Sequence, residues 1–66
     1  MNAMNVAITK DGAIVGYLQY ENHTTDKKLA QRFYKANDAA QAMFRARSCH
    51  QAWNVDQRYG MMIVNA

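Results

Sequence analysis

NDAAQAMFRARSCHQAW, residues 37–53, is the stretch whose reading decides the fold. Steps of about 100° per residue from Ala39 bring Ala39, Ala42, Met43, Ala46, Cys49, His50 and Trp53 into roughly one third of the circumference. That pattern predicts an amphipathic helix with one core-facing stripe. Asn37 is the expected N-cap, because its side-chain oxygen can accept from the free amides of the first turn. Asp38 then sits where the helix dipole favours a negative charge. Arg45 and Arg47 lie further along, and Asn54 is available as a stop. Three alanines in the stripe would let the helix lie close to a sheet. Met43 and Trp53 would fill the larger gaps.

Phe44 departs from this pattern. It projects almost opposite the stripe, near Ala40, Arg47, Ser48 and Gln51. Three readings are open: a single exposed apolar residue of the ordinary kind, cover by another segment, or contact with a partner or second subunit. Aromatic and Arg side chains are enriched at interfaces, so Phe44, Arg45, Arg47 and Gln51 form the candidate partner-binding set.

The 66 residues form at most one domain, residues 1–66. A chain of this size buries only about 60% of its unfolded surface. One Cys permits no disulfide within the chain. Two His and one Cys are too few, and badly spaced, for a structural zinc site, so no metal or other cofactor is expected. Efficient packing or oligomerisation must compensate, and a homodimer is the expected form. The net charge of +3 permits nucleic-acid or acidic-protein partners without requiring either. No apolar run is long enough to span a membrane. The first residues, MNAMNVAITKDG, lack the pattern of a secretion signal, so the expected location is the cytoplasm.

Outside the helix, the sequence reads as strands. Met4 to Thr9 alternates, with Met4, Val6 and Ile8 on one side and Asn5, Ala7 and Thr9 on the other. Lys10-Asp11-Gly12 is a hairpin turn, because Gly accepts the positive φ it needs. Ala13 to Tyr20 returns as a strand, with Ile14, Gly16, Leu18 and Tyr20 on one side and Val15, Tyr17 and Gln19 on the other. Gly16 marks a bulge or a close approach by the helix. Glu21 to Lys28 is polar and reads as a loop. Leu29 to Ala36 fits a strand, the preferred reading. It also fits a helix capped by Thr25, with Leu29, Phe33, Ala36 and Ala40 on one face continuing to Phe44. Tyr59 to Val64 reads as a largely buried strand. The expected fold class is therefore α+β: a small antiparallel sheet of three to four strands with one helix packed on one face (β-β-β-α-β). Its open face would carry Tyr17, Gln19, Arg32 and Tyr34.

Groupings with catalytic chemistry are missing from the sequence. Cys49 and His50 diverge by about 100° on a helix and make a poor catalytic pair. The carboxylates are scattered, and Gly12, Gly16 and Gly60 do not have phosphate-loop spacing. A non-enzymatic binding role is the expectation, in one of two forms. Protein binding would use the Phe44 face and the open sheet edge at Tyr59 to Val64. Nucleic-acid binding would use Lys27, Lys28, Arg32, Tyr34 and Lys35, since basic residues interleaved with aromatics can track a backbone and stack bases.

The succession AIVGYLQY, loop, LAQRFYKANDAAQAMFRARSCHQAW, loop, YGMMIV resembles the plan of small phage-encoded host-takeover proteins. These include the phage inhibitor of bacterial RNA polymerase and several anti-CRISPR proteins. The strand-then-helix part is also similar to the N-terminal half of HicB-type antitoxins. The likeness spans roughly Ala13 to Val64 and is one of pattern, with no functional residue to carry over. The chain is basic where the polymerase inhibitor is acidic. The resemblance implies a cytoplasmic inhibitor that binds a host protein or nucleoprotein complex and does no chemistry itself.

Overall fold

The computed structural model describes residues 2–20, 22–49 and 58–66. His50, Gln51, Trp53 and Asn54 lie outside those residues, as does the side chain of Cys49. The expected α+β architecture is present. Among the described residues, strands β1 (Met4–Lys10), β2 (Ala13–Gln19), β3 (Asn22–Thr24) and β4 (Tyr59–Asn65) accompany one α-helix, α1 (Ala36–Cys49). The sheet is antiparallel in the order β3-β2-β1-β4.

The described part of the expected stripe, Ala39 to Ala46, is the buried side of α1. Ala39, Ala42 and Ala46 are buried, and they form one core with Val6, Leu18 and Phe33. Met4, Met43 and Met61 pack around that core. The three alanines let α1 sit close over β1 and β4, the strands it covers. The helix begins two residues earlier than an Asn37 cap implies. The amides of Asp38 and Ala39 both donate to the carbonyl of Lys35, at 3.1 and 3.2 Å, so Asn37 lies within the first turn and is not the N-cap. The cause lies just upstream. Phe33 is held to β1 by paired backbone bonds with Met4, at 2.7 and 2.8 Å, and the chain bends from there directly into the helix.

The hairpin between β1 and β2 turns at Asp11-Gly12, with Lys10 opposite Ala13. Both turn residues have positive φ, 54° and 83°, as a type I′ turn requires. Gly12→Ala is expected to cost about 1 kcal/mol, because a side chain at positive φ crowds the following carbonyl. A urea midpoint unchanged in that variant would show that the turn does not hold the hairpin in register.

Past the turn the ladder slips. Thr9 pairs with Ile14 but Ile8 pairs with Gly16, so Val15 is an extra residue on β2. The bulge expected at Gly16 is therefore present. The close approach there comes from β3 and not from the helix: a Cβ at Gly16 would lie 3.1 Å from the carbonyl oxygen of Thr24. The slip also moves Ile14 off the side of Leu18. It shares a face with Thr9, and hence with Ala7 and Tyr17.

Three strand readings need correction. The third strand is Asn22–Thr24, inside the stretch read as a loop. It forms because Tyr20 adopts positive φ, 53°, and reverses the chain so that Asn22 meets Gln19. Leu29 to Ala36 is neither strand nor helix over its length. Lys27–Leu29 is a short 3-10 turn capped by Asp26, whose carboxylate accepts from the Lys28 amide at 2.9 Å. Phe33 alone then pairs with the sheet. Finally, β4 is not largely buried. It is an outer strand, with Met62 and Ile63 exposed.

Asn5 is the buried polar residue of the sheet, 1% exposed. Its Nδ2 donates to the carbonyl of Gln31 at 2.9 Å. The Gln31 amide donates to Leu18, and the Gln31 side chain accepts from the Tyr20 amide at 3.0 Å. Together these bonds tie the Lys27-to-Phe33 crossing to both central strands. The Asn5 Oδ1 has no hydrogen-bond partner among the described residues.

Candidate functional site

Two surfaces follow from this arrangement, and the candidate residues divide between them. The first is the outer side of α1. Burying Ala39, Ala42 and Ala46 forces Phe44 to the far side, where it is 74% exposed. Arg45 and Arg47 flank it, both exposed. The Ser48 hydroxyl donates to the Phe44 carbonyl at 3.2 Å, a local bond one turn along the same face. Gln51, the fourth member of the set, lies outside the described residues. This surface is an exposed aromatic between two cations on a rigid element, a composition enriched in protein interfaces.

The second surface is the sheet face turned away from α1. Alternation puts Asn5, Ala7 and Thr9 on this side of β1. Register adds Tyr17 and Ile14 from β2, and Met62 and Val64 from β4. Ala7 is fully buried here, flanked by Tyr17 and Met62. The Lys27 ammonium stands 5.9 Å from the centre of the Tyr17 ring, a cation–π contact across this face. Arg32 and Tyr34 line one shallow depression with Asn2, Ala3, Asn65 and Ala66. Lys28 and Lys35 are exposed, and each is bound through its backbone in a cap. The basic and aromatic candidates are thus gathered as two pairs, Lys27 with Tyr17 and Arg32 with Tyr34, and not as one cluster. Gln19, expected here, is half-buried beside the turn into β3.

The sequence reading missed Met62 and Ile14 on this face. No sharper signal was available for Met62. YGMMIV has no charge, which suits a buried strand and an outer strand equally, so composition could not choose between them. Elsewhere Lys10 lies 5.0 Å from the Tyr59 ring, joining the start of β4 to the end of β1.

Among the described residues, no group of three or more His, Cys, Asp and Glu side chains gathers where a metal ion could sit. No helix among them is long and apolar enough to cross a membrane. The fold and these surfaces define a small α+β module with an exposed aromatic–cationic helix face and a sheet face free of helix. Comparison with protein-family models, with curated proteins and with solved structures found no match to this chain.

Proposed function

We propose that the chain is a non-enzymatic protein-binding module that holds its partner against the outer face of α1. Phe44 is the anchor, and Arg45 and Arg47 supply the rim. The observation that carries this reading is a fully presented Phe on a helix whose opposite face is packed into the core. The helix is already ordered, so binding would not have to pay for folding it. In the form implied by the resemblance to phage host-takeover proteins, the module acts in the cytoplasm. It would occlude a host nucleoprotein or defence complex, in the manner of an anti-CRISPR protein.

Phe44→Ser tests this reading. Its unfolding free energy is expected to stay within about 0.5 kcal/mol of the parent, because the side chain has little to lose. Its affinity for the partner captured by the parent is expected to fall about 30-fold or more, the effect of removing a hot spot of about 2 kcal/mol. Undiminished capture by both Phe44→Ser and Arg45→Glu would remove the helix face as the site.

A second reading is favoured by the contact of Lys27 with Tyr17 on the helix-free face and by the depression that Arg32 and Tyr34 line together. There the module would bind single-stranded nucleic acid, with Lys28 and Lys35 adding charge. Titration against DNA and RNA at two salt concentrations separates the readings. Tight binding that weakens steeply with salt supports the second. Absence of binding at low salt eliminates it.

A further inference from the structure

The two edges of the sheet differ. On one side lies β3, three polar residues long. On the other lies β4, seven residues, YGMMIVN, with no charge and no proline. Its register with β1 runs unbroken from Lys10↔Tyr59 to Met4↔Asn65. Natural edges are commonly blunted by charge, proline, a bulge or brevity. None of these devices is present along β4.

The backbone bonds among the described residues show which groups this edge leaves open. The Asp11 amide donates to the Arg58 carbonyl, and the Ala66 amide donates to the Ala3 carbonyl. Hydrogen-bonded pairs alternate with non-bonded pairs along an antiparallel ladder. Stepping inward by two from both ends, Gly60, Met62 and Val64 turn their amides and carbonyls towards β1. Tyr59, Met61, Ile63 and Asn65 therefore turn theirs outward, away from the sheet.

From this we infer that β4 pairs antiparallel with β4 of a second copy of this chain, with Met62 at the two-fold axis. In that register Met61 is bonded to Ile63 of the other copy, and Tyr59 to its Asn65, so every outward group is satisfied. Centring the pair on Met61 leaves Asn65 without a partner within β4, and centring it on Ile63 leaves Tyr59 without one there. The side chains suit the same register. Gly60 faces Val64 across the seam, small against branched, and no like charges meet. An antiparallel pair of identical edges has its two-fold axis perpendicular to the sheet, so both helices fall on one face. The sheets become one continuous sheet, covering part of Met62 and Ile63, both exposed in the single chain. This inference concerns the strand edge and does not depend on the role of the helix face.

Met62 at the axis makes the test specific. Its side chain is 47% exposed, so a charge there is tolerated in the single chain. The parent is expected to sediment as a dimer. Met62→Lys and Met62→Glu are each expected to sediment as monomers, because each sets two like charges on a close non-bonded pair. An equimolar mixture of the two is expected to recover the dimer. A parent that stays monomeric at every concentration overturns the inference, as do variants that stay dimeric separately or fail to pair when mixed. Amide exchange of the parent gives a second measurement without substitution. In the dimer the Met61, Ile63 and Asn65 amides are protected alongside Met62 and Val64, and dilution to monomer accelerates their exchange by about tenfold or more. Exchange of those three amides that is fast at all concentrations overturns the inference even if the variants fail to fold.

Discussion

Phe33→Ala is expected to lower the unfolding free energy by about 3–5 kcal/mol, the usual cost of deleting a buried aromatic ring. Domains of this length often have only about 3–5 kcal/mol from their core, so most molecules of the variant would be unfolded in water. Phe33 is 6% exposed and stands at the centre of the core, among Val6, Leu18, Ala39, Ala42 and Ala46. Its backbone is simultaneously bonded to Met4, just before the chain enters α1. Losing the ring would therefore loosen the joint between sheet and helix as well as opening a cavity. Phe44→Ala removes the same atoms from an exposed site and is expected to change stability by less than about 0.5 kcal/mol. Urea unfolding followed by circular dichroism measures both. Equal losses in the two variants would mean that the helix is rotated from the phase described.

Asn5→Asp is expected to cost about 3–5 kcal/mol at neutral pH, as for a buried charge without a counter-charge. The wild-type amide gives a proton to the Gln31 carbonyl at 2.9 Å. A carboxylate has no proton to give, and it sets a negative oxygen against that carbonyl in a site screened from water. The pH dependence follows from the same geometry. Burial favours the neutral acid, so the folded variant holds its proton to higher pH than the unfolded chain does. The stability of the variant relative to the parent is then greatest at acid pH, where the neutral acid can donate to Gln31. It is lost as pH rises through the titration of the folded carboxyl. Unfolding free energies of variant and parent across that range test the claim. A deficit that does not change with pH would show that water reaches Asn5.

The same two residues mark how far the sequence could be read. The burial of Ala39, Ala42 and Ala46 and the projection of Phe44 away from them were legible, because helix phase is set by spacing within a dozen residues; that no other described segment covers Phe44 was not. Asn5 alternates with Met4 and Val6 exactly as a solvent-facing strand residue should, and nothing local marks it as buried. It is buried because the crossing from Lys27 to Phe33 passes over that end of the sheet and brings Gln31 to it. The composition of Glu21 to Lys28 hid β3 for a related reason. An outer strand has water along its edge and does not need apolar residues. Leu29 to Ala36 carried apolar residues at strand spacing, yet only Phe33 meets the sheet, and Leu29 is exposed.

For the candidate site the division is similar. The position of Phe44 between Arg45 and Arg47 follows from helical geometry and was readable. Arg32 and Tyr34 share a side by alternation and were readable together, whereas joining Lys27 to Tyr17, apart from them, required the path of the crossing. The exposed edge of β4 required knowing which strand lies outermost.

By itself the sequence determined the helix and its buried side, the Asp11-Gly12 hairpin and the α+β class. Each depends on residues close together in the chain, through side-chain periodicity or through the φ that one turn demands. Tertiary structure alone decided the third strand, the bulge at Val15 that turns Ile14 to the other face, the burial of Asn5 and the outer place of β4. Those depend on pairings between segments far apart in the chain, such as Asn5 with Gln31 and β1 with β4. A short polar or apolar run is compatible with several such pairings, and only the packing of the whole chain selects among them.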